Sequence, residues 1–152
     1  MGYYSDVGLA LRKKDYQAML DGISDFTPSK KIREGFKDFI LGDYKSEVER
    51  DGETIIVCQY IREGIKDFIL GAYKSEVKRG GETIVVCQWK PVKWYDVFPA
   101  VEYITDFYLN KLEDFEFMRV GDDLGDVDEC SEHENSDQWD IFGVSQSLVA
   151  DI

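Results

Sequence analysis

The sequence lacks the features that would place it in a membrane or in an export pathway. It contains no apolar run approaching ~18 residues, the length of a membrane-spanning helix. The first residues, MGYYSDVGLALRKK, carry their basic side chains after the apolar stretch, which is the reverse of a secretory signal. Three cysteines, an odd number, indicate reduced thiols rather than a disulfide framework. These absences predict a protein of the cytoplasm.

Catalytic motifs are also missing. No G-x-S-x-G, P-loop or G-x-G-x-x-G pattern occurs, and His133 is the single histidine. We therefore predict that the chain is not an enzyme, with no catalytic residue, no metal and no cofactor. With 43% hydrophobic and 14% aromatic residues, the chain has enough apolar side chains for a packed core. One folded domain over residues 1–152 is the expectation.

Basic residues are scarce relative to acidic ones. The chain has 18 Lys and Arg against 31 Asp and Glu, a net charge of −13. Binding to nucleic acid or to an anionic membrane needs the opposite sign, so neither is expected as a direct partner. Residues 113–140 hold twelve carboxylates and one cation, Arg119, which is a net charge of −11. The charge is therefore a local feature, and the sequence predicts an acidic loop at 121–138.

A tandem repeat occupies the middle of the chain. Residues 32–60 and 61–89 match at 23 of 29 positions. Three of the differences exchange apolar residues, and the other three, Asp43/Ala72, Glu49/Lys78 and Asp51/Gly80, remove negative charge from the second copy. Because apolar positions stayed apolar, we expect both copies to fold with similar buried faces.

Each copy is predicted to form a helix followed by a β-hairpin. Apolar residues at i, i+4, i+7 and i+8 begin each copy, and Gly42 or Gly71 follows the predicted helix. Asp51-Gly52 or Gly80-Gly81 then separates two strand-like runs, a strong hairpin signal. The second run, TIIVCQY or TIVVCQW, is apolar on both faces, which predicts a central strand that contains Cys58 or Cys87. The extra copy either extends the sheet or is exchanged between two chains in a swapped homodimer.

The remaining segments predict further helices and strands. Thr27 and Pro28 are the expected start of the first repeat helix, and Pro99 is expected to open another helix. The other elements predicted outside the repeats are strands at 3–11, 89–95, 115–120 and 139–148 and a helix at 14–23. Together these elements predict an α+β fold, an antiparallel sheet with helices packed on it.

The acidic segment suggests two metal-binding interpretations. Counting an EF-hand loop from Asp126 puts Cys130 at a ligand position and Ser131 at the glycine position, so that calcium motif fails. Cys130 and His133 form C-x-x-H, whereas a structural zinc site needs four ligands. A small metal protein or enzyme that uses this region stays as an alternative.

The acidic segment offers two functional interpretations. It is a solvated charge run that aids solubility, or a surface that imitates a nucleic-acid backbone and binds a basic groove of another protein. Binding through such a surface requires carboxylates that are held rigidly, because ordering a flexible loop costs affinity. The candidate partner-binding residues are Asp122, Asp123, Asp126, Asp128, Glu129, Glu132, Glu134 and Asp137.

Part of the sequence resembles small acidic proteins encoded by bacteriophages. The resemblance covers about residues 89–128 and rests on two patterns and on the opening YYSDVGLAL. These patterns are Lys93-Trp94-Tyr95 with Phe98, Val101, Ile104 and Phe107, and Phe117-Met118-Arg119-Val120-Gly121-Asp122-Asp123 with Asp126. The resemblance implies a phage protein in the host cytoplasm, where such proteins block defence nucleases, including CRISPR effectors.

The sequence thus predicts an inhibitor that binds a nucleic-acid-handling host protein or nuclease. An immunity protein that neutralises a toxin nuclease is an alternative with the same electrostatics. The sequence does not name the target in either case.

Overall fold

A computed structural model of the chain describes residues 3–41, 51–123, 125–134 and 137–142. One five-stranded antiparallel sheet with helices packed against it confirms the predicted α+β class. The strands are β1 (Ser5–Arg12), β2 (Tyr73–Arg79), β3 (Glu82–Val92), β4 (Asp114–Gly121) and β5 (Val127–His133). The helices are α1 (Lys13–Asp21), α2 (Lys30–Leu41), α3 (Asp51–Leu70) and α4 (Pro99–Val101), with 3₁₀ turns at Gly22–Asp25 and Leu109–Lys111 and a π-helical segment at Glu102–Tyr108.

The order of the strands is β2-β3-β1-β4-β5, so β2 and β5 are the two edges of the sheet. Side chains of the central strand β1 alternate between two cores. Leu9 and Leu11 lie in the larger core beneath the helices. Ala10 lies in a smaller core on the other face, which is covered by Trp139 and Phe142. Both faces of the sheet are therefore buried at its centre, whereas the edge strands are mostly exposed.

The second repeat copy folds as predicted. α3 ends at Leu70, directly before Gly71, and β2 and β3 then form a hairpin. Gly80 and Gly81 make the two-residue turn with φ of +57° and +82°, a conformation that glycine adopts without steric cost. The strand that contains Cys87 lies next to β1, in the interior of the sheet.

The first copy does not fold in the same way, so the expectation of two equivalent units is wrong. Its first segment is helical in α2, as predicted, but residues 51–60 continue the helix α3 instead of forming a strand. Val57, Ile61, Ile65 and Ile69 follow one another at a spacing of four residues and are all buried. This helical stripe crosses the junction of the copies, so the sequence of either copy alone does not show it. The junction carries no cap, proline or glycine that would end the helix.

One buried position favours the second copy over the first next to β3 in the sheet. Ala72 precedes β2 and is 7% exposed. The first copy has Asp43 at the equivalent place, and burying a carboxylate without a partner is costly. The strand predicted for the first copy between Tyr44 and Val48 lies outside the described residues.

Three predicted boundaries also differ from the structure. α2 begins at Lys30, and the hydroxyl of Ser29, not that of Thr27, accepts the amide hydrogen of Ile32 at 3.4 Å. The strand predicted for 89–95 is the end of β3, which stops at Val92. Residues 139–142 form no strand but pack through Trp139 and Phe142, and the rest of the strand predicted to Leu148 lies outside the described residues.

Candidate protein-binding edge

Most of the predicted acidic loop belongs to the sheet. Residues 127–133 form β5, which pairs antiparallel with β4 along its whole length. The prediction of a loop from 121 to 138 is therefore wrong for residues 127–133. This strand shows no apolar alternation, because Val127 and Cys130 are its only hydrophobic residues. Of the described residues in this segment, Asp122, Asp123, Gly125, Asp126 and those after His133 are irregular.

All eight candidate partner-binding residues lie on or beside this strand. We call this surface the acidic edge: Asp122, Asp123, Asp126, Asp128, Glu129, Glu132, Glu134 and Asp137. Seven of the eight are exposed, and Asp126 is half-buried. Strand pairing holds Asp128, Glu129 and Glu132 at fixed spacings. The backbone that carries these carboxylates is therefore ordered before binding, which reduces the entropy lost on binding.

Arg119 on β4 neutralises part of this charge from within the protein. Its guanidinium donates to Asp126 at 2.6 Å and to Asp128 at 2.8 Å, and it also contacts the hydroxyl of Ser5 at 3.0 Å. The hydrogen bond to Asp126 raises the pKa of Arg119 above its ordinary value. The same bond, with help from Tyr3, lowers the pKa of Asp126 to about 2. Asp126 and Asp128 are thus structural ion-pair partners as well as surface carboxylates.

Tyr3 fixes the turn that leads into β5. Its hydroxyl donates to the carboxylate of Asp126 and accepts the amide hydrogen of Asp123 at 3.0 Å. The bond to Asp126 raises the pKa of Tyr3. A Cβ at Gly121 would collide with both the Asp126 carboxylate and the Tyr3 hydroxyl, so a larger residue here would displace the hydrogen bond between them. Gly125, with φ of +84°, completes the turn.

Glu116 is a buried carboxylate that sequence analysis did not assign to any role. It is 5% exposed and accepts the amide hydrogens of Trp139, Asp140 and Ile141 at 3.1, 2.9 and 2.9 Å. Nε2 of His133 lies 3.0 Å from the same carboxylate. Glu116 therefore ties the segment after β5 to the sheet. Its place between Phe115 and Phe117 in an alternating strand predicts an exposed side chain, so neither its burial nor its partners could be inferred from this pattern.

The geometry does not favour a joint metal site at Cys130 and His133. Cys130 pairs with Phe117 and His133 with Asp114, so the two side chains point to opposite faces of the sheet. Within the described part of the chain, no group of three or more His, Cys, Asp or Glu side chains is arranged to hold a metal ion. A site that uses both residues together is therefore not supported, and the alternative of a small metal protein or enzyme in this region stays a prediction.

The three thiols differ in environment. Cys58 and Cys87 are buried, and burial raises the pKa of Cys87 to about 12. Cys58 lies in α3 and not on a strand, contrary to the prediction for the first copy. Cys130 is exposed in the middle of β5.

Comparison of the chain with protein-family models, with curated proteins and with solved structures gives no match. Among the described helices, none combines the length and the apolar character needed to span a bilayer.

Proposed function

We propose that this chain is a non-enzymatic inhibitor that binds a basic, nucleic-acid-handling site of a host defence protein through the acidic edge. The observation that carries this proposal is the location of Asp128, Glu129 and Glu132 on a paired strand. The same carboxylates in a flexible loop would lose more conformational entropy on binding.

The spacing of the carboxylates suits imitation of a phosphate backbone. Strand residues rise by about 3.3 Å, so Asp128 and Glu132 are about 13 Å apart along β5. One DNA strand presents about four phosphates over that length. The acidic edge presents three carboxylates there, Asp128 and Glu132 towards one face of the sheet and Glu129 towards the other. Glu129 and Glu132 form no ion pair with any other described residue.

Two members of the acidic edge stabilise the fold through Arg119, and the other six are available to a target. Asp126 and Asp128 are held by Arg119, so replacing them would disturb the turn as well as the charge. The other six members of the acidic edge are exposed. They are the residues to neutralise in a binding test.

The test compares two variants with equal changes in net charge. The edge variant replaces the six exposed acids Asp122, Asp123, Glu129, Glu132, Glu134 and Asp137 with their amides. The control variant does the same at six exposed acids elsewhere: Asp21, Asp25, Glu34, Glu63, Asp67 and Asp96. Each protein is immobilised and exposed to lysate of the host at low and high salt, and the melting temperature is recorded.

We expect the wild-type and control proteins to retain a nucleic-acid-binding protein that high salt releases, since screening weakens such contacts. The edge variant should lose it at an unchanged melting temperature. Equal capture by the edge and wild-type proteins would reject the acidic edge as the contact surface. A captured toxin nuclease in place of a defence protein would identify an immunity protein with the same electrostatics.

A further inference from the structure

The two edge strands of the sheet carry opposite charge. β2 has Lys74, Lys78 and Arg79 against one acid, Glu76. β5 has Asp128, Glu129 and Glu132 and no Lys or Arg. Among the described residues, no further strand pairs with the outer side of either one. An edge strand presents unpaired backbone donors and acceptors, which is where another strand adds to a sheet.

The two strands also match in direction and length. Each neighbouring pair in the sheet is antiparallel, and four such pairs separate β2 from β5, so these two strands run the same way. Each is seven residues long. A second copy displaced along the sheet without rotation would therefore place its β2 parallel to β5 of the first, with the helices of both on one face. Mixed sheets of this kind are common.

The charges are complementary when the two strands lie side by side with their first residues aligned. Lys74, Glu76 and Lys78 share the helix-covered face of the sheet, since Lys74 and Glu76 pair with Cys87 and Val85 of the larger core. On β5 the same face carries Asp128, Cys130 and Glu132, because Cys130 pairs with Phe117. Aligning Tyr73 with Val127 then sets Lys78 beside Glu132, which has no ion-pair partner among the described residues. The same register sets Lys74, which donates to the carbonyls of Leu70 and Ala72, beside Asp128, which already pairs with Arg119. Glu76 meets the neutral Cys130.

The same charges disfavour the symmetric alternatives. Two antiparallel β5 strands centred on Cys130 would bring Asp128 of one copy to Glu132 of the other. Two β2 strands centred on Glu76 would bring Lys74 to Lys78. Like charges directly opposite one another destabilise a strand pair. In these centred registers, charge on the edges disfavours like-with-like pairing, a recognised protection of edge strands, and favours the unlike pair.

We infer that copies of this chain associate head to tail, with β5 of one copy pairing with β2 of the next. Such a heterologous contact does not close by itself and builds short open chains. A seven-residue strand pair is a small interface, so association is weak and rises with protein concentration. The inference goes beyond the proposed function, and it needs no host protein.

Charge reversal at Lys78 or at Glu132 tests the inference, because each variant is expected to restore association to the other. Lys78→Glu, which introduces the residue that the first repeat copy carries at Glu49, removes the net positive charge of β2 and sets like charges against Glu132. Glu132→Lys weakens the acidic edge and sets like charges against Lys78. Lys66→Glu on α3, at an exposed position away from the sheet edges, is the matched control. Sedimentation velocity at low ionic strength follows the weight-average mass against concentration, and circular dichroism verifies folding.

We expect the wild-type and Lys66→Glu proteins to associate, and each edge variant alone to remain monomeric. Association should return when the two edge variants are mixed, and also in the double variant, because each restores an unlike pair. Should one edge variant fail to fold, the other is compared with wild type alone. A wild-type protein that is monomeric throughout, or edge variants that associate as wild type does, would overturn the inference. Since no target is present, either result leaves the proposed function to its own test.

Discussion

Val57 and Val86 occupy the same position of the repeat and are both buried, yet Val57 lies in the helix α3 and Val86 in the strand β3. The residues around them are nearly identical, ETIIVCQY and ETIVVCQW. Local propensity therefore does not decide the structure of this segment. The continuation of the helical stripe into Ile61 decides it for the first copy, and pairing with β1 decides it for the second.

Two deletions test whether the copies are interchangeable. Removing residues 32–60 or residues 61–89 leaves chains of the same length that differ at six positions. We expect both to fold and the first to be more stable, because it keeps Ala72, whereas the second must bury Asp43 at that place. Chemical unfolding followed by circular dichroism measures the difference. Equal stability of the two products, or greater stability of the second, would contradict this account.

The burial of Ala72 can be tested directly. Ala72→Asp in the full chain should lower the free energy of unfolding by about 2 kcal/mol or more, because it places a carboxylate at a buried site. Tyr73→Asp is the control, since this neighbour is 70% exposed and its carboxylate would remain in water. Urea unfolding of both variants gives the comparison. An equal loss in the two would show that charge, and not burial, is the cause.

Glu116 should contribute strongly to stability. Glu116→Ala leaves the amide hydrogens of Trp139, Asp140 and Ile141 without their acceptor, and we expect a loss of about 3 kcal/mol. Tryptophan fluorescence during unfolding measures it, since Trp139 loses its anchor at the same time. Glu129→Ala, at an exposed position of the neighbouring strand, should change the free energy of unfolding little. A small effect at Glu116 would argue against its role as an anchor.

Asp126 predicts a dependence of stability on acid pH. Its pKa in the folded protein is lowered to about 2 by Arg119 and Tyr3. A folded-state pKa below the unfolded one adds stability that is present above pH ~4 and is lost as the pH falls through the folded value. The gap in urea midpoint between wild type and Asp126→Asn should therefore narrow between pH ~5 and ~2. A constant gap over that interval would refute the assignment, and Asp21→Asn serves as the exposed control.

The elements with a strong local signal were predictable. The glycine pair at 80–81, the alternation of β4 and the start of a helix at Pro99 all correspond to the structure. Their signals depend on a few neighbouring residues, such as positive φ at Gly80 or the fixed φ of Pro99.

The rest depended on contacts between distant segments. β5 is an exposed edge strand, so Asp128, Glu129 and Glu132 follow no apolar alternation, and its pairing with β4 decides its conformation. The helix α3 could be predicted only from both repeat copies together, because it spans their junction. The split of the acidic edge into paired and exposed carboxylates depends on Arg119 and Tyr3, which contact Asp126 from seven and 123 residues away in the chain.

The contrast between the buried thiols and Cys130 makes the unmodified protein a ready subject for site-specific labelling. A maleimide dye added under native conditions should react at Cys130, because Cys58 and Cys87 are shielded by the core. The dye would then sit in the middle of β5. Its emission and anisotropy would report directly on any molecule that docks there, and a bulky adduct would obstruct that docking without a single amino-acid substitution.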